Sequence, residues 1–178
     1  AAPVRQARRT LPHEKLQALA AEHRAPRDPQ AKLRDIQSYV STRGIPAAAL
    51  LKMAKFGLVI DRWIRETELN GTAIQCWTAL EEFFGIVPCT LMSIMSESLV
   101  PSACEVDITG LLGMYILQLA SGTPSALLDW NNNYGDDRNK CVAQHCGNYP
   151  KSFIGQPIQV SNLSVLGSVL GEEVCFGG

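Results

Sequence analysis

The chain predicts an α/β fold, with a mostly parallel sheet layered with helices and then the start of a β-rich, barrel-like domain. Three observations carry this. Helix-length amphipathic or apolar stretches alternate with short apolar runs through the first two-thirds, the pattern of a layered sheet. Turn-formers such as Asn70-Gly71, Gly85 and Ser121-Gly122-Thr123-Pro124 fall between them. From residue 125 onward short β-like runs are instead separated by Asn-, Gly- and Pro-rich loops. The expected division is a linker or helical connection over 1–45, an α/β middle domain over 46–124, and an incomplete β-rich domain beginning at 125–178.

In chain order, residues 12–23 form a short helix candidate, punctuated by Pro26 and Pro29. A long amphipathic helix is expected over 46–69. Pro46 suits its first turn, Leu50, Met53, Gly57, Ile60 and Ile64 make one stripe, and Asn70-Gly71 stops it. Residues 72–75 read as a buried strand. Thr78 and Glu81 frame a capping-box helix closed by Gly85, and 88–98 is a further helix with Leu91, Ile94 and Met95 inward. Residues 104–106 read as a strand end, 109–120 as a strongly apolar helix, and 126–130 as a second buried strand. The runs 141–145 and 158–160 are expected to open the β-rich part, which stops unfinished at Gly177-Gly178.

With 178 residues the chain can bury a core, and 46% hydrophobic with 19% charged residues is ordinary for a folded protein. A net charge of −1 argues against a general nucleic-acid binder. The charge is uneven: residues 1–70 carry +6 and residues 71–178 carry −7. The basic half mixes its charges with acids and apolar residues, as a solvated face does, and the acidic half suits a cation. No apolar run approaches a membrane span. The cysteines (76, 89, 104, 141, 146 and 175) sit singly in apolar segments and form no Cys-x-x-Cys pair, so buried free thiols in a reducing, cytoplasmic compartment are expected.

Three residues stand out among small residues and turn-formers: Glu105, Asp129 and His145. Both acids follow apolar or small residues at expected strand ends, where an ionised carboxylate is costly unless paired or bound to a cation. Strand carboxyl ends are also where open α/β sheets concentrate function, and Gln75 falls at another. Carboxylates with an imidazole suit Mn²⁺ or Mg²⁺. The loop 131–137 is rich in groups able to hydrogen-bond a polyhydroxylated ligand. The plainer readings are a helix cap, a structural histidine and a solvated turn. A soft-metal site of Cys141, His145 and Cys146 is the remaining alternative.

The segments Ile74-Gln75-Cys76-Trp77-Thr78, Val87-Pro88-Cys89-Thr90-Leu91-Met92, Ala103-Cys104-Glu105-Val106-Asp107, Asp129-Trp130-Asn131-Asn132 and His145-Cys146-Gly147-Asn148 occur in that order. Together they resemble the L-fucose isomerase/L-arabinose isomerase superfamily, its fucose isomerase-like branch above all, over residues 72–153. The resemblance implies a metal-dependent aldose–ketose isomerase working through an ene-diol, with Glu105 and Asp129 as Mn²⁺ ligands and acid/base pair. It implies His145 as a further metal ligand, and Gln75, Trp77, Trp130, Asn131 and Cys146 at the sugar. A homo-oligomer, trimeric or hexameric, binding a small-molecule sugar and neither nucleic acid nor membrane, follows from the same resemblance. It also implies a partial chain, inactive alone, with a further α/β domain upstream and a β domain downstream. The alternatives are an isomerase for L-arabinose, D-arabinose or a modified hexose, and a non-catalytic sugar-binding module of the same fold.

Overall fold

The computed structural model describes residues 28–76, 80–81, 85–161 and 176. The expected helix at 12–23, most of the capping-box helix and Trp77 lie outside the described residues.

The first element, α1 (Pro29–Tyr39), lies where the sequence was read as a connection. Its start is chemically explicit. Asp28 is extended and accepts from the Gln30 amide, and Pro29 occupies the first turn, where its missing N–H costs nothing. Helix α2 (Ala47–Thr67) follows and carries the expected stripe: Leu50, Met53, Gly57 and Ile60 are buried. It ends at Glu68, whose left-handed backbone returns an amide to the Ile64 carbonyl. Gly57 is a packing requirement, since a Cβ there would stand 2.7 Å from Lys32 Cε and 2.9 Å from Leu91 Cδ2. Across the same contact Lys32 Nζ donates to Asp61 Oδ2 at 2.7 Å, a pair only 8% and 13% exposed.

Strands β1 (Thr72–Ile74) and β2 (Ser102–Cys104) pair in parallel, with Ile74 opposite Cys104. Between them α3 (Cys89–Glu97) is buried on nearly every face. The strand–helix–strand reading of this part holds, and the core forms here, with Ile36, Met53, Ile74, Ile86, Leu91, Met92 and Cys104 in one cluster. Thr72 and Ser102 face each other with hydroxyls 2.7 Å apart, which satisfies two buried polar groups at once. Helix α4 (Ile108–Ser121) is capped by Asp107, which accepts from the Gly110 amide at 2.7 Å. Only Met114 and Gln118 of this apolar helix are buried, and Ile108, Leu112, Ile116 and Leu117 are exposed.

The last third differs from the expectation. Residues 126–128 are not a strand. Instead β3 (Asp129–Tyr134) and β4 (Asp137–Gln144) make an antiparallel hairpin with two irregularities of register, through the stretch read as a polar loop. Gly135, at φ 55°, supplies the left-handed backbone of the turn. Every β3 residue is exposed, so pairing rather than burial makes this a strand. After the short α5 (Lys151–Ile154) the chain returns to the body, where Ser41 and Gln159 form a parallel bridge. The fold is mixed α/β, and among the described residues the sheets are two-stranded, with no barrel. No described helix is long and apolar enough to cross a membrane.

Candidate functional site

Glu105 leaves β2 directly after the buried Cys104. The chain turns sharply here: Glu105 and Val106 both take φ 58°, and the Asp107 amide closes back on the Cys104 carbonyl at 3.0 Å. Left-handed backbone is unfavourable for a β-branched residue, so this turn is held by its surroundings, with β2 pinned on one side and α4 capped on the other. The carboxylate is thereby presented at the carboxyl end of a parallel strand, as the sequence implied. It is exposed, however, not buried.

Asp129 and His145 come together through register. Asp129 opens β3 opposite Gln144, the last residue of β4, so His145 emerges beside it. His145 Nε2 and Asp129 Oδ2 are 3.9 Å apart, an ionic contact longer than a hydrogen bond. The two side chains live in different media: His145 is 4% exposed and Asp129 67%. The cost of desolvation falls on the buried partner. It bears on the imidazole, whose Nδ1 accepts from the Cys146 amide at 2.9 Å, leaving the proton of a neutral ring on Nε2, toward Asp129. The His145 pKa is raised, first by its hydrogen bond to Cys146, and further by the charges of Cys146, Asp129 and Glu105, against the opposing effect of burial. The structure thus brings Asp129 and His145 together, whereas the donor atoms of Glu105, Asp129 and His145 do not all gather within the span of one ion. Tyr149 donates to the His145 carbonyl at 3.1 Å and steadies the loop.

The expected sugar-contact residues divide. Gln75 is exposed at the end of β1, and Trp130 (79% exposed) and Asn131 stand on β3 beside Asp129. Cys146 is half-buried and follows His145. Trp77 lies outside the described residues. A cavity of about 150 Å³ lined by Tyr39, Ser93, Tyr149 and Ile158 contains neither acid nor His145, and so is not their pocket.

A feature the sequence reading scattered is a knot of thiols directly beneath these residues. Cys76 and Cys104 Sγ are 2.8 Å apart, Cys104 and Cys146 3.6 Å, and Cys89 and Cys146 3.9 Å. His145 Nδ1 is 3.5 Å from Cys146 Sγ. Cys141, the other cysteine of the expected soft-metal trio, is exposed on β4 and stands apart. Hydrogen bonds from Cys104, Cys76 and Cys89 hold Cys146 well below the usual thiol range, against burial. Cys104 is pushed far up by Cys146 and its other thiol neighbours. Cys76 is drawn down by Cys104 but pushed up to about 11 by Cys146 and burial. Cys89 shifts upward for the same reasons. The signal in the sequence was register: Cys76 and Cys104 both sit at the carboxyl ends of neighbouring parallel strands.

The chain is distantly homologous, over about half its length, to isomerases of a sugar. It is 31% identical over 96 residues to a sulfoquinovose isomerase of Priestia aryabhattai, covering 54% of this chain and 22% of the relative. It is 32% identical over 100 residues to that of Alkalicoccus urumqiensis, covering 56% and 23%. A sulfoquinovose isomerase of Clostridium sp. (strain MSTE9) is 26% identical over 87 residues, covering 49% and 19%. The chain thus spans about a fifth of the length of these relatives. No family model matches it, and no solved structure does.

Proposed function

We propose that this chain is the metal- and sugar-binding portion of a divalent-metal-dependent aldose–ketose isomerase whose substrate is a modified hexose of the sulfoquinovose kind. The partial homology to sulfoquinovose isomerases carries this reading. A modified hexose takes precedence over L-fucose because the relatives are named for one, whereas the ordered motifs alone pointed to the fucose branch. The contact of Asp129 with His145, and the placing of Glu105 at the end of β2, support the chemistry.

The donor set fits the cation. Two exposed carboxylates and an imidazole suit Mn²⁺ or Mg²⁺ better than a thiolate-seeking ion. When bound, such an ion would supply Lewis-acid polarisation of the sugar's O1 and O2. Aldose–ketose exchange moves one proton from C2 to C1 and one between the oxygens. Glu105, on a turn fixed by the Asp107 cap, takes the C2 proton and returns it at C1, and Asp129 handles the hydroxyl proton. As it now stands, His145 Nε2 faces Asp129 at 3.9 Å, beyond hydrogen-bond range. To serve as a ligand through Nε2, the ring must carry its proton on Nδ1 and give up the Cys146 amide. Gln75, Trp130, Asn131 and Cys146 would contact the sugar, with Trp77 joining them. The division at residues 45 and 124, and assembly as a trimer or hexamer, belong to the same proposal.

The test uses the longer protein containing this chain, with Mn²⁺ and sulfoquinovose or another modified hexose as substrate. Glu105→Gln is expected to lower turnover by more than about tenfold while the circular-dichroism spectrum stays unchanged. Retention of more than about a tenth of the rate removes Glu105 from the proton path.

A further inference from the structure

Among the five described cysteines, Cys76, Cys104 and Cys146 meet at one point, and Cys89 touches that group through Cys146. Each comes from a different segment: Cys76 follows β1, Cys89 opens α3, Cys104 closes β2, and Cys146 lies in the loop after β4. Cysteines used as small apolar fillers have no reason to seek one another. Cys76, Cys89 and Cys104 are buried and Cys146 is half-buried, so the point is nearly dry yet reachable from the Cys146 side. The sulfurs of Cys76, Cys104 and Cys146 all lie within 4.8 Å of one another.

We propose that Cys76, Cys104 and Cys146 form a three-thiolate site for a thiophilic cation of the Zn²⁺ type, which Cys89 closes as fourth donor by moving in beside Cys146; Cys146 then serves this cation and not the sugar. Zinc–sulfur bonds near 2.3 Å place tetrahedral sulfurs roughly 3.8 Å apart. The Cys104–Cys146 and Cys89–Cys146 separations of 3.6 and 3.9 Å already match that edge. A cation at the centre opens the 2.8 Å Cys76–Cys104 contact toward the same spacing. That contact is well beyond the roughly 2.05 Å of a disulfide. An all-sulfur donor set also rejects hard ions, so this site and a Mn²⁺ or Mg²⁺ site would not exchange cations. Each ligand that is still a thiol releases one proton to solvent as its bond to the cation forms, and one already a thiolate releases none.

The site would act as a staple. Cys104 precedes Glu105 and Cys146 follows His145, so one cation fixes the anchor points of both functional stretches. This inference goes beyond the isomerase reading, and its test does not read turnover. The 178-residue chain, reduced and stripped with chelator, is titrated with Co²⁺ and then Zn²⁺. The expected result is a thiolate-to-cobalt charge-transfer band with tetrahedral ligand-field absorption, saturating at one equivalent and erased by Zn²⁺. Cys146→Ser and Cys104→Ser should each weaken Zn²⁺ binding by at least about tenfold, and Cys141→Ser, on exposed β4, should leave it unchanged. If Cys104→Ser does not fold, the half-buried Cys146→Ser decides. An octahedral cobalt spectrum without the thiolate band overturns the proposal. So does Zn²⁺ binding indifferent to Cys146→Ser, or a native Cys76–Cys104 disulfide seen as the loss of two hydrogens in the intact mass.

Discussion

The β1–β2 body and the β3–β4 hairpin obey opposite rules. In the body, short strands of three residues pack against α3 and α4, α1 and α2 add to the same core, and burial decides what each position tolerates. In the hairpin, longer strands lie exposed along their length and are held by their own ladder. A two-stranded ribbon alone is marginal in water, so its register is set at the end where it joins the body, at Asp129 and Gln144. The candidate site lies at that junction. The body supplies rigidity through Cys104 and Cys146, and the hairpin supplies a solvent-facing carboxylate.

Substitutions separate the two regimes. The largest effect is expected from Met53→Ala, which empties a fully buried site in the core and should lower unfolding free energy by about 3 kcal/mol in urea melts. A loss under about 1 kcal/mol would mean that the body collapses around cavities and is not the rigid partner. Next is Asp61→Ala, which leaves the Lys32 ammonium without its partner and should cost about 2 kcal/mol. That is less than for a wholly dry pair, because Asp61 keeps some access to water. High salt should leave this loss nearly intact, in contrast to the exposed Arg62–Glu66 pair on the same helix.

Smaller and pH-dependent is the contribution of His145 at the junction. Folding raises its pKa, through Cys146 first and the nearby carboxylates after it, so the protonated ring favours the folded state. That stability is complete below the unfolded value of about 6.5 and is lost as pH climbs through the higher folded value. Asp129→Asn should lower the folded pKa in an NMR titration only in part, since Cys146 remains. An unchanged titration would dissociate the hairpin from the body electrostatically. Smallest is Trp130→Ala on exposed β3, with stability expected within about 0.5 kcal/mol of the parent in the same melts. A larger loss would show the hairpin packed on something.

What the sequence made legible follows the same boundary. The stripe Leu50, Met53, Gly57 and Ile60 and the pairing of a strand before α3 with one after it were readable, because buried elements carry periodicity. Helix α1 falls within the expected linker or helical connection but its start at Asp28-Pro29 was not legible, because Pro29, like Pro26 before it, reads as punctuation. Of the hairpin, the run 141–145 overlaps β4, but β3 beyond residue 130 was not legible, because Asn131, Asn132 and Asn133 carry no apolar alternation and exposed strands leave none to find. The position of Glu105 at a strand end was legible, and its exposure was not, since no local pattern reports which way a left-handed turn faces. The thiol knot needed tertiary contact to appear at all.

The two left-handed residues after β2 bear on evolvability. A glycine at position 106 would adopt φ 58° freely, whereas valine holds it at a cost of about 1–2 kcal/mol. Selection for sturdiness alone would favour that glycine. It would also loosen the hinge that aims Glu105, since the freedom glycine gains would be shared with its neighbour. Val106 therefore marks a place where a more durable protein and a better-aimed carboxylate are different molecules, and a screen for heat resistance would move away from the second.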